Sequence, residues 1–300
     1  MPVSLLARQR ALFAFLCLVW GLNWVAMKIG VTAVPPGFFS GVRWTFAGAA
    51  ILLWQYFRGE PMRIPYRLLP RLFWLSQILI TLNVFIMLYG LRYVSSGLAS
   101  VLSSALTPIA LLGFAVLFGQ ERFNRRQVAA IGLGVAGLLL LYGPKVAQGQ
   151  LGLLEGLGAI GIIIGNLSYC LGSVLSRPMM RTLSPTVLSG TTSLFGGLSL
   201  LVVSIAVEPG VIGPVMWGDW GLYPWLAWLF MVFAGSLGAT TIYFILVRDW
   251  GASRTGTYAF ISPVIAVAAG ILMLGEHVDV IEAGGMVLML SAAAMVLKGG

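Results

Sequence analysis

Ten apolar runs divide the chain, and short polar or basic stretches separate them. Each run is roughly 17 to 26 residues long, which is enough to cross the ~30 Å hydrocarbon layer of a bilayer as an α-helix. The strands of a membrane barrel would instead alternate polar and apolar residues over about ten positions, and these runs do not alternate. The pattern predicts ten transmembrane helices, at residues 11–31, 37–57, 72–90, 97–118, 127–143, 153–174, 185–206, 222–247, 255–275 and 281–297.

The composition places almost the whole chain inside a membrane. Of 300 residues, 59% are hydrophobic and only 9% are charged, and the mean hydropathy is +0.96. A soluble domain carries about 25% charged residues, so this chain lacks the polar surface that water requires. We predict an all-α integral membrane protein with almost no residues left over for a soluble domain.

Basic residues concentrate on one side of the predicted topology. If the N-terminus is cytoplasmic, the inner loops and helix ends hold Arg8, Arg10, Arg58, Arg63, Arg67, Arg71, Arg122, Arg125, Arg126, Arg177, Arg181, Arg248, Arg254 and Lys298. The outer side holds only Lys28, Arg43, Arg92 and Lys145. This asymmetry follows the positive-inside rule and predicts that both termini are cytoplasmic. Because the net charge of +9 is then a topology signal that faces anionic lipid headgroups, we expect no nucleic-acid partner.

The fourth and ninth predicted helices carry related sequences. The stretches ALTPIALLGFAVLFGQE and FISPVIAVAAGILMLGE place Pro108 and Pro263 155 positions apart. The second stretch lies five helices further along the chain than the first, so they cross the membrane in opposite directions. We therefore predict two inverted five-helix repeats, residues 1–150 and 151–300, which is an arrangement that many secondary transporters use.

Polar and aromatic residues form stripes along several predicted helices. In the fourth helix, Ser100 and Ser103 begin a run of hydroxyls at helical spacing that shares one face. In the sixth helix, Asn166 and Tyr169 share a face, and an offset of 149 positions pairs Tyr169 with Trp20 of the first helix. Polar atoms at bilayer depth need partners and lie toward a bundle interior or a cavity.

The stripes predict a central, hydrated, aromatic cavity for small amphipathic solutes. Its predicted lining is Trp20, Asn23, Trp24, Arg43, Asn83, Tyr89, Ser100, Ser103, Asn166, Tyr169, Thr240, Tyr243 and Tyr258. The alternative is that the hydroxyls and amides only join neighbouring helices, at about 0.6 kcal/mol each. Two roles stay open for Arg43, which could hold a carboxylate of the solute or extend to the membrane interface or an internal partner.

Pro108 and Pro263 predict breaks in the hydrogen bonding of two helices. A proline inside a helix removes the bond to the carbonyl four residues earlier, which here belongs to Ser104 or Ala259. Each freed carbonyl falls on or beside a polar stripe, and each break favours a kink. We predict a hinge at both prolines, although proline is also common in membrane helices that do not bend in function.

The predicted spans lack the residues that several other chemistries need. No Asp, Glu or His falls in the middle of a span, no Gly-rich stretch ends in Gly-Lys-Ser/Thr, and the two cysteines lie in different helices. We predict no catalytic residue, no metal and no cofactor, and a gradient-driven facilitator or exchanger. A membrane-embedded enzyme is disfavoured because it would need a base, a nucleophile or a metal cluster.

Helix ends and supporting helices complete the prediction. The fifth and tenth helices are rich in small residues that let backbones approach closely, which indicates supports or a self-association surface. Glu121 and Glu276 follow helix ends and are predicted to accept hydrogen bonds from the amides that open the next helix. His277, which has no ligand partners nearby in the sequence, is predicted to be an exposed loop residue.

The whole chain resembles the EamA family of the drug/metabolite transporter superfamily. The resemblance rests on the two proline-containing repeats that end in Glu121 and Glu276, and on the opening stretches LCLVWGLNWVAMKIG and PPGFFSGVRWTFAGAAIL. Within the family, the sequence is most similar to the YddG-type amino-acid exporters of bacterial inner membranes. The resemblance implies efflux of aromatic or other neutral amino acids by alternating access. Transport of drugs, nucleosides or carboxylates by another member of the superfamily stays open.

Overall fold

The computed structural model describes residues 5–59, 64–93, 96–122, 124–147, 153–274 and 280–297. These residues form ten main helices and contain no strand. The helices are α1 (Leu5–Ala33), α2 (Pro36–Phe57), α3 (69–93), α4 (Ser96–Leu117), α5 (Arg125–Ala147), α6 (Leu153–Met179), α7 (Pro185–Val207), α8 (Leu222–Trp250), α9 (Tyr258–Leu274) and α10 (Val280–Leu297). Each helix overlaps one predicted span, so the all-helical architecture is confirmed.

Prolines and a serine cap fix where two of the helices begin. Pro36 is the first residue of α2, where its missing N–H and fixed φ cost nothing. Pro185 opens α7 in the same way, and the hydroxyl of Ser184 accepts a hydrogen bond from the Val187 N–H at 3.2 Å. A side-chain oxygen at this position satisfies one of the unpaired amides of the first turn. These local signals explain why the sequence predicted both starts within one residue.

Two of the helices, α3 and α8, contain a wider π-helical segment that the hydrophobic pattern did not predict. The segments are Gln77–Leu82 in α3 and Met231–Ala239 in α8. Each chain segment remains helical on both sides of the wider turns. Each residue added by π-type turns rotates the following helix face by about 100°, so these segments decide which side chains of α3 and α8 point inward.

The helices pack in pairs that are distant in the sequence. α2 packs along α7, α5 along α10, α6 against α3 and α4, and α1 against α8 and α9. Glycines allow the closest approaches: a Cβ on Gly48 of α2 would lie 2.7 Å from the Gly190 carbonyl oxygen of α7. A Cβ on Gly137 of α5 would lie equally close, at 2.7 Å, to the Gly285 carbonyl oxygen of α10. Small residues at such crossings let van der Waals packing hold membrane helices together.

The mutual packing of α5 and α10 gives their small residues a use within one chain. Gly137 also faces Met289 of α10, and Met289 is fully buried. The opposite faces of the two helices expose Leu139, Leu140 and Val287. The supporting role therefore accounts for the small residues, and self-association through the exposed faces stays a prediction.

Large apolar side chains cover much of the outer surface, including Leu53 and Trp54 of α2 and Val202 of α7. Such a surface suits lipid and not water. In the described part of the chain, five helices are by themselves long and apolar enough to cross a membrane: Ala7–Val31, Tyr66–Leu91, Gly156–Met179, Pro185–Val207 and Leu222–Trp250. The protein is therefore a multi-pass membrane protein.

Two carboxylates hold helix N-termini that are far away in the sequence. Glu208, which follows α7, accepts hydrogen bonds from the backbone N–H groups of Gly37 and Phe38 at 2.9 and 3.0 Å, and the Ser204 hydroxyl donates to the same carboxylate. These amides open α2, where a negative charge also meets the positive end of the helix dipole. The contact fixes the end of α7 against the start of α2.

Glu121 was predicted to accept hydrogen bonds from the amides that open the next helix, and the structure gives it a different partner. The carboxylate accepts hydrogen bonds from the hydroxyl and the backbone N–H of Ser253, in the single turn Ala252–Thr255 ahead of α9. At the start of α5, the helix that follows Glu121, the side chain of Asn124 accepts the Arg126 N–H instead. Tertiary packing thus provides Glu121 with an amide and a hydroxyl from a distant turn. Glu276 and His277 lie outside the described residues.

Candidate solute-binding cavity

A cavity of about 190 Å³ lies among seven of the helices. Its lining consists of Trp20, Asn23, Trp24 and Met27 of α1, Arg43 and Trp44 of α2, Leu79, Ile80, Asn83, Val84 and Met87 of α3, Ser103, Ser104 and Thr107 of α4, Asn166 and Tyr169 of α6, Gly235, Ser236, Thr240, Tyr243 and Phe244 of α8, and Tyr258, Ala259 and Ser262 of α9. Among the described residues, α5, α7 and α10 contribute nothing to this lining.

Four aromatic residues meet on one side of the cavity, and we call Trp20, Tyr169, Tyr243 and Tyr258 the aromatic cluster. The Trp20 ring lies 4.5 Å from the Tyr258 ring, edge to face, and 5.1 Å from the Tyr243 ring. The Tyr169 and Tyr243 rings are 5.8 Å apart, and the Tyr258 hydroxyl donates to the Tyr169 hydroxyl at 3.5 Å. These four side chains come from four different helices. They offer ring faces and hydroxyls to a solute with an apolar body.

Asn166 ties α6 to α4 through hydroxyl and carbonyl oxygens. Its side-chain amide donates to the Ser103 hydroxyl at 2.7 Å, to the Thr107 hydroxyl at 2.9 Å and to the Ser103 carbonyl at 3.1 Å. The Thr107 hydroxyl in turn donates to the Ser103 carbonyl at 2.7 Å. A buried amide satisfied in this way fixes the register of two helices. The alternative role that the sequence left open, joining neighbouring helices, therefore applies to this part of the stripe.

Several polar atoms around the cavity have no partner. Among the described residues, the buried lining atoms without a hydrogen bond are Asn23 Oδ1, Arg43 Nε, Trp44 Nε1, Asn83 Oδ1 and Ser236 Oγ. Leaving such a group unpaired costs about 1–3 kcal/mol. These atoms belong to five residues of one lining, and each atom itself is closed to solvent. Both donors and acceptors are represented.

Arg43 gives the cavity its electrostatic character. The side chain is 5% exposed, and its guanidinium carbon lies 4.6 Å from the Trp44 ring centre. No Asp or Glu is among the described lining residues, so the lining carries one formal positive charge. The near-complete burial of the side chain disfavours extension to the membrane interface, and the two other possibilities, a solute carboxylate or an internal partner, stay predictions.

The structure brings most of the predicted lining residues to one cavity: Trp20, Asn23, Trp24, Arg43, Asn83, Ser103, Asn166, Tyr169, Thr240, Tyr243 and Tyr258. Tyr89 is not among them, and its ring packs 4.7 Å from the Phe85 ring. Asn83 and Tyr89 are six residues apart and thus about 240° apart around a helix, whereas Met87 follows Asn83 by one turn and does line the cavity. The side chain of Ser100 lies outside the described residues.

Both predicted hinge prolines are buried inside continuous helices, Pro108 in α4 and Pro263 in α9. The residues whose carbonyls the prolines release, Ser104 and Ala259, both line the cavity. A released carbonyl at the cavity wall is an additional acceptor for water or solute. Bending at these prolines stays a prediction.

Sequence reasoning missed the residues that the π-helical segments deliver. Leu79 and Ile80 of α3, and Gly235 of α8, line the cavity from within the wider turns. In α8 the run GSLGATT could have indicated an irregular helix, because small residues dominate it. The α3 segment QILITL carries no comparable signal. Trp44 was missed because it follows Arg43 directly, and neighbouring helix positions point about 100° apart.

The side chains of the lining are suited to binding a solute through non-covalent contacts. Indoles, phenols, amides, hydroxyls and one guanidinium offer apolar faces, hydrogen bonds and a positive charge. In the described part of the chain, no group of three or more His, Cys, Asp or Glu residues is placed to hold a metal ion. Cys17 and Cys170 are both free and buried.

Comparison with known proteins identifies similar membrane transporters. The chain matches the model of the EamA-like transporter family over residues 10–143 and 156–298. It is 30% identical over 292 residues to the uncharacterized inner membrane transporter YedA of Escherichia coli strain K12, covering 96% of this chain and 90% of the relative. It is 24% identical over 263 residues to the uncharacterized transporter YoaV of Bacillus subtilis strain 168, covering 88% and 87%.

A third relative and a solved structure extend the comparison. Protein PagO of Salmonella typhimurium is 27% identical over 263 residues, covering 86% of this chain and 82% of the relative. One solved crystal structure superposes with a TM-score of 0.79 at 19% identity and covers 96% of both chains, which shows a shared fold. The family model covers nearly the whole chain, and YedA and YoaV carry the names of transporters. The chain therefore belongs to the EamA-like transporter family of multi-pass membrane proteins.

Proposed function

We propose that this protein is a secondary transporter that exports aromatic or other neutral amino acids across a bacterial inner membrane, by alternating access through the central cavity. The observation that carries the proposal is the aromatic cluster beside polar side chains and Arg43 in the lining of one cavity. An aromatic amino acid carries a ring that matches the aromatic cluster, and charged groups that match the polar side chains and Arg43. The aromatic residues Trp20, Tyr169, Tyr243 and Tyr258 serve as the ring-binding wall, and their faces also attract an ammonium group.

The proposed architecture is a pair of inverted five-helix repeats with both termini in the cytoplasm. The family model matches residues 10–143 and 156–298 separately, which supports two related halves. The helix contacts are also mirrored: α6 touches α3 and α4 as α1 touches α8 and α9, while α2 pairs with α7 and α5 with α10. The excess of arginine at one set of helix ends supports the orientation.

Alternating access requires that each end of the bundle can close. In the proposed orientation, Glu208 joins α7 to α2 at the outer end, and Glu121 joins the end of α4 to the turn that carries Ser253 at the inner end. Each contact holds helices from opposite halves together. We expect the contact at one end to open as the cavity becomes accessible from that side, with Pro108 and Pro263 taking up the bend.

Transport into liposomes tests this function. Purified protein is reconstituted, and uptake of labelled phenylalanine, tryptophan, leucine, uridine and a lipophilic cation is compared. We expect the aromatic amino acids to be favoured, and Trp20→Ala and Tyr258→Ala to raise their half-saturating concentration roughly tenfold, because each removes an aromatic contact. Efflux from preloaded cells that overproduce the protein tests the outward direction.

Two lipid-facing aromatics provide matched controls. Trp54 is 52% exposed on α2 and Tyr223 is 73% exposed at the start of α8, so Trp54→Ala and Tyr223→Ala remove the same groups away from the cavity. Both control variants are expected to transport as the wild type does. If Trp20→Ala and Tyr258→Ala match the wild type for every solute, the cavity is not the transport path. Preference for uridine or the cation would favour another substrate class of the superfamily.

A further inference from the structure

We infer that Arg43 is the anchor for a carboxylate of the solute, so that the cavity requires a carboxylate and does not require an ammonium group. The inference deepens the proposed function, because it names the chemical group that the same cavity selects. It predicts that aromatic carboxylates without an amino group are bound, whereas aromatic amines without a carboxylate are not.

Arg43 is a buried positive charge without a counter-charge in its surroundings. Its side chain is 5% exposed, and its Nε has no hydrogen-bond partner among the described residues. The one contact of its guanidinium with a charged or aromatic group in this part of the chain is the Trp44 ring, 4.6 Å away. Arginine at membrane depth is costly and is usually paired or placed in a water-filled cavity. A partner that arrives with the solute explains why the described residues provide none.

The lining provides one positive charge for a negative group of the solute, and its described residues include no acid for a positive group of the solute. None of the described lining residues is Asp or Glu. An ammonium group would therefore find only ring faces, carbonyls and amide oxygens, while a carboxylate would find the planar fork of a guanidinium, which binds it through two parallel N–H donors. The charge balance of the cavity thus favours an anionic or zwitterionic solute over a cation.

The position that the repeat pairs with Arg43 has a different role. At the offset of 149 positions this residue is Thr192 of α7, whose hydroxyl donates to the Leu188 carbonyl of its own helix at 2.8 Å. Thr192 is fully buried, and no residue of α7 is among the described lining residues. The charge is therefore confined to the α2 side, so the cavity anchors a single carboxylate.

A matched set of solutes separates the two functional groups of an amino acid. Phenylalanine carries both groups, 3-phenylpropanoate lacks the ammonium group, and phenylalaninamide lacks the carboxylate. In wild-type proteoliposomes, 3-phenylpropanoate should inhibit uptake of labelled phenylalanine. We expect its half-inhibiting concentration to lie within about threefold of that of unlabelled phenylalanine. Phenylalaninamide is expected to compete roughly 10- to 100-fold more weakly, the range for a lost hydrogen-bonded charge contact.

Substitutions at Arg43 test which group reads the carboxylate. Arg43→Gln should raise the half-saturating concentration for phenylalanine roughly 10- to 100-fold and abolish the preference for phenylalanine over its amide. Arg43→Lys keeps the positive charge but loses the planar guanidinium, so its half-saturating concentration for phenylalanine should lie between those of the wild type and Arg43→Gln. Arg58→Gln is the control, because Arg58 ends the same helix, is exposed and lies 4.8 Å from the Trp54 ring. It should leave both values unchanged.

A binding measurement keeps the anchor and the proposed function apart. Thermal unfolding of the purified protein in detergent is followed with and without 3-phenylpropanoate, and size-exclusion chromatography checks that each variant is folded. Stabilisation of the wild type and of Arg58→Gln but not of Arg43→Gln supports the anchor, even if phenylalanine is not transported and the proposed function fails. If no carboxylate stabilises the wild type, or if Arg43→Gln still prefers phenylalanine to its amide, the anchor is overturned.

Discussion

Two helix crossings beside the cavity perform the same structural task with different chemistry. Where α6 crosses α4, the two N–H groups of the Asn166 amide are shared among three oxygens of Ser103 and Thr107. Where α1 crosses α9, the Ser262 hydroxyl donates one bond of 3.3 Å to the Cys17 carbonyl. Thr107 and Ser262 are 155 positions apart and Cys17 and Asn166 are 149 apart, so the repeat offsets pair the two crossings. We call them the amide crossing and the glycine crossing.

The glycine crossing replaces polar contacts by close approach. A Cβ on Gly21 of α1 would lie 2.9 Å from the Ser262 carbonyl oxygen and 2.8 Å from Cγ2 of Ile265. At the paired position of α6 stands Cys170, whose Sγ has room to contact the side-chain oxygen of Asn166 at 3.4 Å. Directed hydrogen bonds specify a single register, whereas packing over a glycine tolerates small slides. The difference teaches that directed hydrogen bonds hold the amide crossing, whereas close steric packing holds the glycine crossing.

The largest loss is expected from filling the glycine crossing. Gly21→Ala should lower the free energy of unfolding by about 2 to 3 kcal/mol, because the new methyl group meets backbone and cannot be relieved by a rotamer change. Reversible unfolding in mixed detergent micelles measures the change. Gly113→Ala is the control, since a Cβ on Gly113 of α4 would have no neighbour within 4 Å. Equal losses in both variants would show that helix propensity, and not the crossing, sets the effect.

Removal of the amide should cost somewhat less. Asn166→Leu has a similar size but no donors, so we expect the free energy of unfolding to fall by about 2 kcal/mol, the sum of the lost bonds to Ser103 and Thr107. A double-mutant cycle with Thr107→Val isolates the pair. The two changes should be less than additive by about 0.5 kcal/mol or more. Strict additivity would contradict a shared network.

Thr107→Val tests the amide crossing with a side chain of almost the same shape. The substitution removes the hydroxyl that accepts from Asn166 and donates to the Ser103 carbonyl. We expect the free energy of unfolding to fall by about 1 kcal/mol, near the upper range for single bonds between membrane helices. The same unfolding titration measures it, and an unchanged value would mean that Asn166 finds a substitute partner.

Ser262→Ala is the counterpart at the glycine crossing and should have the smallest effect. It removes one long hydrogen bond to the Cys17 carbonyl, so the free energy of unfolding should change by about 0.5 kcal/mol or less. The difference between Thr107→Val and Ser262→Ala measures how unequally the two crossings depend on polar contacts. A larger loss for Ser262→Ala would reverse the assignment of the two crossings.

Much of the cavity could be predicted because its stripes obey the helical period. Asn166 and Tyr169 recur at a spacing that puts both on one face, and both line the cavity. Tyr89 was assigned to the wrong face because it was grouped with Asn83 by polarity and not by angle. Gly235 lines the cavity from a π-helical segment, whose position depends on how α8 fits its neighbours. No local pattern in one sequence reports that fit.

The sequence by itself determined that the protein is helical and embedded in a membrane, and where helices such as α2 and α7 begin, because apolar length, prolines and caps act through local geometry and burial in lipid. Only the tertiary structure decided the partners of its few charges. Glu208 meets α2, Glu121 meets the turn before α9, and Arg43 meets no counter-charge in the described residues. These outcomes depend on which helices pack together, and the strength of each contact depends on burial that only the assembled bundle creates.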